Sequence, residues 1–252
     1  MTDKIKAAVR ADPRHGFAEL ARQIGYDRLL ARLDWGAAPD EDLWVLKGAT
    51  SLLARLRTAA RHSLDVDLYR RDTFDITAAE LALRQAAARD LGDFFTFDLG
   101  RAAPLADVAK GVRIPVVARL GPAWSQFHVD VVVGLAMTGQ PDTVAPLTAI
   151  DIPGLFRPPY RAYPIVDHIA DKLAATFEQR TTAAGHPQGG SRVKDAVDLL
   201  LIARTQTVDA AALRAAIASE LARRGIPTPV AFTVPDEQVW ARSWRAVVAD
   251  TP

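Results

Sequence analysis

The run 43–69 constrains the fold more than any other part of the chain. "LWVL" (43–46) is short and apolar throughout, the pattern of a buried strand. A turn of small residues begins at Gly48, and "TSLLARLRTAA" (50–60) then repeats apolar residues at helical spacing through Leu52, Leu53 and Leu56. "LDVDLY" (64–69) alternates apolar and polar residues, as a half-buried strand does. That strand carries an electrostatic problem. Asp65 and Asp67 stand at i and i+2, so both carboxylates share one face and repel. Either a positive group lies between them or they point into water.

The flanking sequence extends this pattern. Residues 3–33 read as helical, with breaks expected near Asp12-Pro13 and at Gly25. "DWGAAPDED" (34–42) reads as a loop. "DITAAELALRQAAARDL" (75–91) reads as a helix with Asp75 as N-cap. Strands are expected at 94–99, 112–120 and 127–134, with turns at 107–110 and 121–122. The segment 139–164 is rich in Pro and Gly and reads as a crossover. Helices follow at 164–180, 191–205, 208–225 and 235–250, the first two separated by a flexible "TTAAGHPQGG". The expected architecture is α+β: a mixed sheet with flanking helices over 1–157, then a helical lobe over 158–252.

Three aspartates carry the chemistry. Hard divalent cations take oxygen ligands, and Mg²⁺ is commonly held by one or two carboxylates together with substrate phosphates. Asp65 and Asp67 could supply these, or could simply line a solvated strand face. Asp130 is the one charged residue inside the otherwise apolar strand "FHVDVVVG" (127–134), and a central strand rarely buries a lone carboxylate unless it is paired or binds metal. Two acids on one strand and one on a neighbour form a cluster of the kind that serves phosphoryl or nucleotidyl transfer. An arginine salt bridge to Asp130, or a solvent-facing side chain, is the alternative. At the turn, Gly48 permits close approach to the helix N-terminus, whose N–H groups suit phosphate, and Thr50 and Ser51 add hydroxyls. An ordinary strand–helix turn has the same composition. Neither G-x-x-x-x-G-K-[ST] nor G-x-G-x-x-G occurs.

In its ordered motifs the chain resembles the nucleotidyltransferase superfamily, and more narrowly the AbiEii/AbiGii-type toxin family that includes the MenT toxins of mycobacteria. The resemblance rests on "LKGATSL" (46–52), "RHSLDVD" (61–67), "IADKLAA" (169–175) and "RVKDAVDL" (192–199), in the family's order. Ala49 departs from it, standing where the superfamily usually has Gly or Ser. The resemblance implies a nucleotidyltransferase fold and Mg²⁺ on Asp65, Asp67 and Asp130, with Asp130 also a candidate base. It implies a nucleotide bordered by Gly48, Ala49, Thr50, Ser51 and Ser63. It gives Lys172 the role of neutralising phosphate, and Asp195, with Arg192 and Lys194, that of completing the nucleotide or acceptor pocket. It further implies a toxin transferring a nucleoside monophosphate from an NTP to RNA, the tRNA 3′ end, so blocking translation. A separately encoded cognate antitoxin is a partner, and phosphate placed on Ser63 would repel the catalytic carboxylates. A protein or small-molecule acceptor, or a degenerate binding module of the same fold, is the alternative.

Composition narrows the rest. The net charge of +1 excludes an overall polycation, so any RNA-binding surface is local. Arg55, Arg57, Arg61, Arg70, Arg71, Arg157, Arg161, Arg180 and Arg192 could form such a rim, or simply an Arg-rich solvated surface. Only six of the 31 basic residues are lysine, which singles out Lys172 and Lys194. There is no cysteine, hence no thiolate metal site or cysteine nucleophile. The charged N-terminus and lack of long apolar runs lead to the expectation of a cytoplasmic monomer without a membrane span.

Overall fold

The computed structural model describes residues 1–13, 15–33, 35, 43–57, 60, 63–105, 110–178, 180–181, 187–188, 192–231, 233 and 237–249. Its elements in chain order are α1 (Thr2–Ala11), α2 (Phe17–Leu30), β1 (Trp44–Lys47), α3 (Gly48–Leu56), β2 (Asp65–Arg70), α4 (Ile76–Ala87), β3 (Thr96–Leu99), β4 (Ala103–Pro104), β5 (Gly111–Arg119), β6 (Ala123–Val133), β7 (Asp142–Val144), β8 (Tyr160–Ala162), α5 (Ile165–Phe177), β9 (Arg180–Thr181), β10 (Pro187–Gln188), α6 (Val193–Thr205), α7 (Ala210–Arg224) and α8 (Glu237–Ala249). They fall into two compact units. The first holds Met1–Arg57, His62–Ala136 and Pro141–Ala162; the second holds Thr58–Arg61, Met137–Gln140 and Tyr163–Pro252. The expected loop at 34–42 (Trp35 aside), the turn at 107–110 (Lys110 aside), Arg61, His62 and most of 182–191 lie outside the described residues.

The first unit is a mixed sheet in the order β3-β5-β6-β2-β1-β8-β7, with β4 beside β5. β2 runs parallel to β6 and antiparallel to β1, while β5 runs antiparallel to β6. The period-2 alternation seen in the sequence sorts the side chains. Leu46, Val66, Leu68, Ile114, Val129 and Val131 are fully buried on one face. α2 packs on that side against β6. Gly25 does not break α2 as expected; it lets the helix approach the sheet, since a Cβ there would lie 2.5 Å from Ser125 Oγ.

Polar ties fix α2 further. Asp93 receives the guanidinium groups of both Arg28 (Nε, 2.8 Å) and Arg32 (Nη2, 2.7 Å), and all three residues are buried. Burial alone would raise the Asp93 pKa, but the bonds from Arg32 and Arg28 outweigh it and hold the carboxyl below its ordinary value. Asp27 accepts from the backbone N–H groups of Leu147 and Thr148 and from the Tyr160 hydroxyl. Burial pushes its pKa up despite these donors.

Asp75 caps α4 as expected, accepting from Thr77 N. The Pro-rich segment is not a bare crossover. Within it the short strands β7 and β8 pair antiparallel, and β8 adds to β1.

The second unit is helical apart from the antiparallel pair β9–β10. Arg224 of α7 joins α5 through Asp171 and Glu178 and bonds Glu220 in its own helix. Trp240 of α8 is buried against Val193 and Ala196 of α6. Among the described residues no helix is long and apolar enough to cross a membrane.

Candidate active site

The sheet face opposite the core carries the charges. Register places Lys47 beside Asp67, Asp67 beside Asp130, and Asp130 beside Arg113, so one row across β1, β2, β6 and β5 reads plus, minus, minus, plus. In the next row Asp65 stands beside His128. The three aspartates singled out from sequence thus occupy two adjacent strands and one face. Asp65 and Asp67 are partly exposed, and Asp130 is buried.

Positive side chains flank the carboxylates: Lys47 stands beside Asp67 in register, and Arg113 serves Asp130 and Asp65. Arg113 donates from Nε to Asp130 Oδ1 and from Nη2 to Asp130 Oδ2, both at 2.7 Å, and its Nη2 lies 3.3 Å from Asp65 Oδ2. The bond to Asp130, reinforced by the charges of Asp130, Asp65 and Asp67 against a lesser burial effect, pushes the Arg113 pKa up. His128 Nδ1 stands 3.4 Å from Asp65 Oδ1. Sequence reasoning passed over Arg113 and His128. Arg113 sits in the otherwise apolar "VRIPVV", the same lone-charge signal that drew attention to Asp130.

Gly48 opens α3 with φ at +57°, a backbone region that other residues rarely enter. A Cβ on it would fall 1.9 Å from Asp67 Oδ2. The absent side chain is therefore the space that Asp67 fills, which couples the turn directly to the acidic face. Thr50 and Ser51 are fully buried. Thr50 Oγ1 donates to the Asp65 carbonyl at 2.5 Å, and Ser51 Oγ to the Gly48 carbonyl at 3.0 Å. The Thr50 bond ties α3 to β2, and the Ser51 bond stays within the first turn of α3. Ala49 is buried too. Ser63 stands two residues before β2 begins, and its Oγ donates to the Asp65 carbonyl at 2.9 Å.

A divalent cation suits the donor set: three hard carboxylates on one face, one of them in the hollow left by Gly48. They do not form a ready-made cage, for among the described residues no three acidic or histidine side chains are so arranged.

In the helical unit Lys172 is buried, and its Nζ contacts Asp195 Oδ1 at 2.8 Å and Asp198 Oδ2 at 2.7 Å. Burial opposes its charge, but the two carboxylates outweigh that and raise its pKa. Arg192 Nε lies 3.1 Å from Asp195 Oδ2, and Lys194 is exposed. Several arginines expected on a basic rim have local partners. Arg55 pairs with Asp142, Arg70 with Asp72, Arg157 with the Thr148 carbonyl and Arg161 with Thr143. Arg61 and the side chain of Arg180 lie outside the described residues. An apolar cavity of about 710 Å³ lies among α5, α6 and α8, lined by Leu173, Leu199, Leu200, Trp240 and Trp244; none of the expected site residues lines it.

Comparison with known proteins decides the family. Residues 28–251 match the AbiEii nucleotidyl transferase toxins of type IV toxin–antitoxin systems. The chain belongs to the AbiEii family. Membership makes it a nucleotidyltransferase with an NTP substrate and a cognate antitoxin. No curated protein matches it. Two solved Helicobacter pylori structures are similar. JHP933 has a TM-score of 0.42 and 15% identity over 91% of this chain and 91% of its own. A candidate nucleotidyltransferase has a TM-score of 0.40 and 14% identity over 92% of this chain and 94% of its own. Likeness at that level carries no argument about mechanism.

Proposed function

We propose that this AbiEii protein uses Mg²⁺ to transfer a nucleoside monophosphate from an NTP to the 3′ end of tRNA, as a MenT-like toxin that blocks translation. The observation that supports the reading most is the convergence of Asp65, Asp67 and Asp130 on one sheet face beside the N-terminus of α3. Asp65, Asp67 and Asp130 would hold the metal. When bound, the ion would offset charge on the α-phosphate and on the leaving group.

The chain's own residues do the rest. Gly48, Ala49, Thr50, Ser51 and Ser63 would border the triphosphate, Gly48 and Ala49 through their backbone N–H groups. The acceptor oxygen forms its bond to the α-phosphorus as the bond to pyrophosphate breaks. Asp130 would take the acceptor's proton. In the helical unit Lys172 would neutralise phosphate charge, and Asp195, with Arg192 and Lys194, would complete the nucleotide or acceptor pocket. Their grouping on α5 and at the start of α6 supports this.

The test is to incubate the protein with each α-labelled NTP, Mg²⁺ and total RNA or cell lysate, beside Asp65→Ala. Label in small RNA that the variant fails to produce supports the proposal. Label in protein or in a small molecule replaces tRNA with another acceptor. No label in any fraction points to a degenerate binding module.

A further inference from the structure

We propose that Arg113 is a resident counter-ion that competes with the divalent cation and is released to the nucleotide's phosphates when the site loads. The idea rests on the metal reading given above and adds a residue and an order of events to it.

Three observations carry it. The Arg113 fork occupies both oxygens of Asp130 at 2.7 Å and reaches Asp65 at 3.3 Å, so one guanidinium bridges two of the three metal-ligand candidates. The Asp130 side chain is 12% exposed and the Arg113 side chain 42%, so the arginine covers the carboxylate while itself remaining open to solvent. Arg113 is also anchored on a neighbouring strand, directly opposite Asp130 in register. Its long side chain can therefore swing away without moving the backbone of β6.

A cation entering between Asp65 and Asp130 meets a like charge already seated there. Repulsion and the loss of the fork's hydrogen bonds both weaken metal binding in the absence of nucleotide. A triphosphate offers the guanidinium an equivalent bidentate anion. Metal and nucleotide should then bind cooperatively, because the second ligand takes the group that opposes the first.

Isothermal titration of the full-length protein with Mg²⁺ or Mn²⁺, with and without an α,β-methylene NTP analogue, tests this in wild type, Arg113→Met and Arg113→Lys. Circular dichroism confirms that each variant is folded. Arg113→Met should bind the metal alone roughly tenfold more tightly than wild type, the equivalent of one charge-assisted contact removed. It should bind the analogue with metal roughly tenfold more weakly, and Arg113→Lys should fall between. Metal binding that is unchanged or weaker in Arg113→Met overturns the proposal, because the arginine then merely orients Asp130. If wild type and all variants bind no divalent cation, with or without analogue, the metal reading fails and this proposal with it.

Discussion

Replacing Gly48 with alanine tests the coupling between the turn and the acidic face. The new Cβ would lie 1.9 Å from Asp67 Oδ2 and 2.5 Å from Asp67 Cγ. Non-bonded heavy atoms essentially never approach a Cβ within 3.0 Å, so the carboxylate must retreat by about 1.1 Å. The backbone adds its own strain: at φ +57° an alanine costs about 1–2 kcal/mol relative to glycine. Stability should therefore fall modestly, by about that amount in a urea titration. Activity should fall far more. A displacement near 1 Å at a positioned group is worth on the order of a hundredfold in rate. Nucleotide transfer by Gly48→Ala should drop by about that factor at a temperature where the variant is fully folded. Because the damage runs through Asp67, the double variant Gly48→Ala/Asp67→Asn should be no slower than Asp67→Asn alone. Additive losses, or wild-type turnover in Gly48→Ala, would refute the argument that the glycine exists to seat this carboxylate.

Other consequences follow from the buried charges. Asp93→Ala leaves Arg28 and Arg32 buried without their carboxylate and should cost about 3–5 kcal/mol in chemical denaturation. The depressed Asp93 pKa means that its stabilisation is complete above the ordinary carboxylate range and is lost as pH falls through the folded value. Wild type should therefore lose stability more steeply than Asp93→Ala as pH drops below about 4. Asp27 has the opposite sign: its raised pKa favours folding at low pH, and that contribution fades as pH rises through the folded value. Stability against pH measured for Asp27→Asn should lack this fall, at the expense of an acceptor for Leu147 N or Thr148 N. Lys172→Met removes the cation between Asp195 and Asp198 and should lower the melting temperature measured by thermal unfolding.

Much of the fold was legible because its signals are local. Alternation in β2, the Asp75 cap and the amphipathic α5 and α6 can each be read within a dozen residues. What escaped depends on distant partners. Gly25 looks like a helix breaker until Ser125 of β6 is seen against it. β7 and β8 are three residues each, too short for alternation to reveal, and exist because they pair with each other and β8 with β1. In the site, the i, i+2 spacing of Asp65 and Asp67 fixed their shared face, and the isolation of Asp130 marked it as needing a partner. The identity of that partner could not be read, because pairing Arg113 with Asp130 requires the register of β5 on β6. The bonds of Thr50 and Ser51 were likewise hidden, since which carbonyl a hydroxyl at a turn meets is decided by packing.

The central claim is nucleotidyl transfer directed by the acidic face, and position-specific labelling tests it most directly. Protein, Mg²⁺ and an acceptor RNA are supplied in parallel with α-labelled and γ-labelled NTP, for wild type and Asp67→Asn. The account predicts α-label in the RNA, γ-label released as pyrophosphate, and at least a hundredfold loss in Asp67→Asn. Transfer of γ-label to the acceptor, or undiminished α-label transfer by Asp67→Asn, would contradict it.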